Sequence, residues 1–443
     1  MDLPFLPLLW QQLAAHLAAC LHQRHAWRLT VLLLGALFAK GRRTVTSWLR
    51  AAHVGPGFAA FYYFLAALGR HTDCLAGLLL RSALPWLAPD GPLLFAVDDS
   101  PTKRYGRHVQ GAGLHHNPTP GPTDQKFLYG HVWVTLSWVV VHPLWDALGL
   151  PLLARLYVRR KDVPRVPPRQ GWSFHTKLEL AADLVRWAAA WVRFTGRVVR
   201  VVADGFYAKR PFLKAAAAAG VTLISRLRRD AGLRTLPVPP RSGRRRGRPP
   251  VYGSGRISLA KRAGQKRGWQ MVRTRQYQQV RDKRVKTFLA TWRPAGGVIR
   301  VVLVQEDHGW LALFSTDASL TAEEILAIAA DRFSIEQDFH DLKEVEGLGQ
   351  QQLRDIWANV GAFHISVWVH TLVELWAWEQ PREAICDRSA SPWDDAWRRP
   401  SHADRRKALQ RQCLRQEFQQ LAEGQALTAE IQQFVGRVIN HAA

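Results

Sequence analysis

Three acidic residues stand where a metal-binding site would need them. Asp98 follows the apolar run LLFAV (93–97), Asp204 follows VVRVVA (198–203), and Glu336 lies within RFSIEQDFHDLK (332–343). Short apolar, β-branched runs read as buried strands, so both aspartates are expected at strand ends. In an open α/β sheet, ligands gather beyond the carboxyl ends of the strands. Two aspartates from neighbouring strands and one glutamate from a helix alongside would form an oxygen-rich cage. Such a cage suits Mg²⁺ or Mn²⁺. Two such ions about 3.5–4 Å apart can activate a water or a 3′-hydroxyl and stabilise a leaving oxygen.

The glutamate has company. Arg332, Glu336 and Lys343 are spaced four and seven residues apart, which at about 100° per residue places all three within roughly 40° of arc on one helix face. A carboxylate flanked by two cations can hold a metal and grip DNA phosphates together. Taken alone, Arg332 and Glu336 would be an ordinary solvated ion pair; the two strand-ending aspartates turn the balance towards a site. Asp99 competes with Asp98 for the first position. Successive strand residues face opposite ways, so only one should reach the metal, and Asp98 leaves an Asp-x-Ser spacing.

The elements that must position these residues follow from hydrophobic period. Residues 1–88 read as helices. Within them GRRTVTSWLRAAHVG (41–55), carrying Arg42 and Arg43, resembles half of a helix-turn-helix that could read DNA; a plain helical bundle with basic surface residues fits equally. From residue 89 the pattern becomes α/β. Strands are expected at 93–97, 131–141, 151–158, 198–203 and 221–227, with helices at 176–194 and 206–220. That order resembles a ribonuclease-H-like core spanning 89–227. Residues 228–320 interrupt it with an Arg/Pro/Gly-rich loop and four alternating runs (269–277, 285–292, 298–305, 310–316), expected to form a small inserted β-subdomain. In the loop, Arg246-Gly247-Arg248-Pro249 matches the core of an AT-hook, with a solvated basic loop as the alternative. A capping box at Thr321 and Glu324 opens a helix running to about Gly347. An apolar helix follows at 357–378, which closes a unit spanning 321–378. The stretch 379–443 is polar and helical. The fold class is thus α/β, with a core interrupted by strands and helical regions at both ends.

Composition narrows the partner. The 443 residues carry 61 Lys and Arg against 35 Asp and Glu, a net charge of +26, yet 47% are hydrophobic. A folded chain this basic points to a polyanion. Because the cations are spread through the chain, double-stranded DNA is favoured over a membrane surface. No apolar stretch reads as a membrane span, so a soluble, cytoplasmic protein is expected. Cys20, Cys74, Cys386 and Cys413 form no CxxC pair and are expected as thiols rather than a disulfide framework or zinc knuckle. There is no P-loop, and neither Ser100 nor Ser225 sits in a nucleophile elbow. His115, His116 and His131 lack metal-ligand spacing. Trp292 and Trp310 could stack on a flipped base but are more ordinary as core aromatics.

The ordered set AVDDS (96–100), VVADGFYAKR (201–210), FSTD (314–317) and RFSIEQDFHDLK (332–343) resembles the DDE transposases of bacterial insertion sequences, specifically those with a β-rich insertion before the catalytic glutamate. The last motif matches their Tyr-x-x-Arg-x-x-x-Glu-x-x-x-x-x-x-Lys signature at Arg332, Glu336 and Lys343. Ala329 takes the place of the tyrosine, which removes a phosphate contact but no metal ligand. The resemblance covers about residues 40–375. It implies that Asp98, Asp204 and Glu336 are catalytic and hold two Mg²⁺ or Mn²⁺ ions, and that Arg332 and Lys343 contact the DNA backbone. It also implies a homodimer on DNA that cuts the element's inverted ends and joins the 3′ ends to target DNA. A non-transposing ribonuclease-H-like nuclease and a degenerate DNA-binding protein remain as alternatives.

Overall fold

A computed structural model of the chain describes residues 6–442 apart from 89, 118–124, 239–248, 277–278, 387–392, 396 and 423–428. The N-terminal helices are α1 (Leu8–Ala18), α2 (Gln23–Phe38), α3 (Val45–Ala51), α4 (Ala59–Leu68) and α5 (Thr72–Leu87). Thr44 caps α3 by accepting the backbone N–H of Ser47, and Trp48 and Leu49 of that helix are buried. Cys20 and Cys74 are joined in a disulfide with Cα atoms 6.3 Å apart, against the expectation of free thiols. Their separation of 54 residues gave no sign of it; α1 packs against α5 and brings them together.

The core follows as β1 (Leu93–Lys103), β2 (Gly113–His116), β3 (Phe127–His142), β4 (Asp146–Tyr157), α6 (Lys177–Val192), β5 (Val199–Ala203), α7 (Arg210–Ala218) and β6 (Val221–Leu227). β3 lies antiparallel to both β1 and β4, whereas β5 and β6 continue parallel to β1. This is the ribonuclease-H-like order. β1 runs five residues beyond Asp98, because β3 is long enough to pair with it as far as Lys103.

Next come β7 (Leu233–Arg234), β8 (Arg256–Ile257), α8 (Leu259–Gly264), β9 (Gln270–Gln276), β10 (Gln279–Trp292), β11 (Gly297–Glu306) and β12 (Gly309–Ser315). These strands do not form a separate sheet. β12 pairs antiparallel with β6, and β11 and β10 follow, so among the described residues one twelve-stranded sheet includes them all. The pairing covers what would otherwise be an exposed edge of β6.

The remaining helices are α9 (Ala322–Asp331), α10 (Phe333–Glu344), α11 (Ile356–Ala377), α12 (Arg382–Ile385), α13 (His402–Leu421) and α14 (Ala429–Ala442). The Thr321–Glu324 capping box forms at α9. The single helix expected to run to Gly347 is divided at Arg332, because α9 packs on β9 and β12 while α10 packs on β4 and β1. α11 is long and apolar enough to cross a membrane, but 94% of its apolar window is buried inside the protein. It is a core helix. Gly69 and Gly361 let α4 and α11 touch backbone to backbone, and a Cβ on either would collide with the other helix.

The sheet separates two cores. Ile325, Ile328, Ile335 and Phe339 of α9 and α10 pack with Ala96 and Val202. Val97 and Ala203 instead join the larger core of α6, α7, α11 and the N-terminal helices.

Candidate active site

This alternation decides where the acids point. Val97 pairs with Ala203 at the end of the parallel β1–β5 ladder, so Asp98 and Asp204 are the next residues on adjacent strands. With strand period two they share the face of Ala96 and Val202, which α9 and α10 cover. Asp98 Oδ1 accepts the backbone N–H of Asp99 at 2.8 Å, and its Oδ2 accepts from Arg332 Nη1 at 3.0 Å. The other Arg332 nitrogen donates to Glu336. One guanidinium thus links an acid from the sheet to an acid from α10. Asp204 is exposed and accepts the Phe206 N–H at 3.3 Å as the chain turns towards α7.

Asp99 faces the other way. Lys177 Nζ, at the start of α6, lies 2.6 Å from its Oδ2, and the buried Tyr207 hydroxyl donates to its Oδ1 at 2.8 Å. Its charge is therefore matched within the opposite core. Burial pushes the Asp98 carboxyl up to about 7, opposed by the Asp99 amide and Arg332 and reinforced by the charges of Asp99 and Asp204.

These donors fit a hard divalent cation. They are carboxylate oxygens, Asp204 has no salt bridge among the described residues, and the space between Asp98 and Glu336 already takes a positive group. The carboxylate oxygens of Asp98, Asp204 and Glu336 do not all come within 4.8 Å of one another, so these three residues would have to draw together to hold it. A groove runs past Asp204, lined by Arg226, Arg281, Lys283, Ala329 and Arg332. Ala329, at the signature's tyrosine position, faces this groove.

A family model of the DDE superfamily endonucleases matches residues 16–292. The chain belongs to the DDE superfamily endonucleases. It is accordingly a metal-dependent nuclease acting on DNA. The match takes in Asp98 and Asp204 and ends in β10, before Glu336. No curated protein matches the chain.

The other expected DNA contacts of the endonuclease are scattered. Lys343 does not join Glu336; it lines a separate depression with Arg42, Lys103, Tyr105 and Asn117. Burial lowers its ammonium, with Lys103 adding to the effect and Glu344 opposing it. Arg42 is exposed, whereas Arg43 turns inward. Its backbone N–H donates to Gln350 Oε1 at 2.7 Å, its guanidinium donates to the Ala39 carbonyl, and burial lowers it to about 10. Arg246 and Arg248 lie outside the described residues.

Trp292 is buried against Phe314, and Trp310 packs under Arg229. His131 is a core histidine held between Arg104 and the Gln110 carbonyl. Ser225 donates to the carbonyl of Asp204. Sequence reasoning did not find Lys177, Tyr207, Arg226, Arg281 or Lys283. Tyr207 was within reach, in the FYAKR run directly after Asp204; the others carry no local signal.

Proposed function

We propose that this endonuclease is the DNA transposase of an insertion sequence, binding the inverted ends of its element, cleaving there and joining the 3′ ends to target DNA as a homodimer. The observation that carries the reading is Arg332 bridging Asp98 to Glu336, with Asp204 on the neighbouring strand. A divalent metal, when bound, supplies the charge that activates the attacking oxygen and stabilises the leaving one.

The chain's own residues do the rest. Asp98, Asp204 and Glu336 would hold that metal. Arg332 exchanges its carboxylate partners for phosphate oxygens when DNA enters, a bidentate match that suits a guanidinium. Arg226, Arg281 and Lys283 draw the backbone along the groove, and Arg42 and Lys343 hold flanking phosphates in the second depression. Lys177 and Tyr207 hold Asp99 and so fix β1 just beyond Asp98.

Pre-cut element ends, a target plasmid and Mg²⁺ or Mn²⁺ test this directly. Strand-transfer products on a gel are the expected result. Cleavage without joining would identify a non-transposing nuclease. DNA binding that Glu336→Gln alters only in affinity, with no cleavage by the wild type, would identify a degenerate DNA-binding protein.

A further inference from the structure

A second cluster of metal-binding side chains lies away from the carboxylates just described. His370 and Glu374 stand four residues apart on one face of α11, and His402 opens α13. One donor atom from each lies within 4.8 Å of the other two. All three residues are about 98% buried, at 2% exposure each. Neither ring nitrogen of His370 has a hydrogen-bond partner. A buried imidazole left unpaired is costly, and such groups point to an ion or water that completes them.

We propose that His370, Glu374 and His402 bind a zinc ion that clamps α13 to α11. Two imidazole nitrogens and one carboxylate oxygen are a zinc donor set, softer than the all-oxygen set at Asp98. The supporting shell around His402 and Glu374 is in place, whereas the imidazoles of His370 and His402 stack with centroids 4.0 Å apart and 19° between their planes, so His370 turns to bring its lone pair onto the shared ion. His402 Nε2 donates to Glu346 at 3.0 Å, which orients the ring with Nδ1 towards Glu374. Arg405 donates to the other oxygen of Glu374 at 2.5 Å. In the metal-free arrangement His402 Nδ1 carries a proton shared with Glu374 at 2.6 Å. Zinc replaces that proton, which leaves to solvent, and takes the Nδ1 lone pair. The fourth position opens on a cavity of about 240 Å³ lined in part by Asp338 and Asp341. Asp338 Oδ2 also has no partner, so a zinc-bound water hydrogen-bonds there. The cations facing the site, Arg399, Arg405 and Arg406, are countered by Glu346, Glu374 and Asp341, while burial pushes the Asp338 carboxyl well above the ordinary range.

Metal analysis of the full-length protein, purified without a histidine tag and dialysed against metal-free buffer after zinc loading, tests this. About one zinc per chain is expected in the wild type and in Asp98→Asn, with a visible d–d band when Co²⁺ replaces it. His370→Ala and His370→Gln should each lose the ion and the band. A folded wild type that retains only trace zinc and shows no cobalt band overturns the proposal and leaves His370 merely hydrated. Zinc retained in full by a folded His370 variant also overturns it. Neither result bears on DNA cleavage at Asp98.

Discussion

Two clusters of acids and cations in the endonuclease behave oppositely because of water. On the sheet face covered by α9 and α10 the side chains of Asp98, Arg332 and Glu336 are 21%, 25% and 43% exposed. Under α11 and α13, those of His402, Glu374 and Arg405 are 1%, 2% and 3% exposed. An ion pair in contact with solvent is worth about 0–1 kcal/mol and exchanges easily. Breaking a buried one by removing a partner costs about 3–5 kcal/mol. The open cluster can trade Arg332 for a metal and a phosphate. The closed cluster ties α13 to the core, with Arg406 also donating to the carbonyls of Ala36 and Leu37 in α2.

The sharpest way to break this comparison is to remove one charge from each side. Asp204→Asn or Glu336→Gln should cut metal-dependent cleavage by on the order of 10³-fold or more, with the thermal midpoint almost unmoved. Glu374→Gln should do the reverse. It strands Arg405 and His402, so denaturant melts should show a loss of about 3–5 kcal/mol, with cleavage by the surviving folded protein retained. If Glu336→Gln proves as destabilising as Glu374→Gln, the distinction between an exchangeable and a fixed cluster fails.

Acidity sharpens it further. The folded chain holds the Asp98 proton up to about pH 7, against an ordinary value of 3.8. The stability this residue contributes is therefore full below 3.8 and is lost as pH rises towards 7. Metal binding requires the ionised form, so apparent Mg²⁺ affinity should fall about tenfold per unit below pH 7. Calorimetric titration at pH 6, 7 and 8 checks this; an affinity flat across that range would contradict it. The smallest effect belongs to the rim. Lys343→Ala and Arg42→Ala should each weaken binding to any DNA sequence and lower the salt slope by about one, measured by anisotropy across a salt series. No change in slope would remove that depression from the DNA path.

What the sequence by itself determined is local. The apolar runs before Asp98 and Asp204 specified buried strands, the Thr321–Glu324 pair specified a helix start, and the spacing of four between Arg332 and Glu336 specified an ion pair that the structure contains. Each depends on residues a few positions apart, where period and capping act. The tertiary structure decided the rest. Asp98 rather than Asp99 meets Arg332 because the two faces of β1 pack against different helices. Lys343 leaves the site because two helical turns carry it about 10 Å along the axis even while it keeps the same arc. The pairing of β12 with β6, the break at Arg332, the Cys20–Cys74 bond and the meeting of His370 with His402 all join residues that short-range periodicity cannot relate. Their closeness arises only when sheet and helices pack, because burial and strand pairing are properties of the assembled fold.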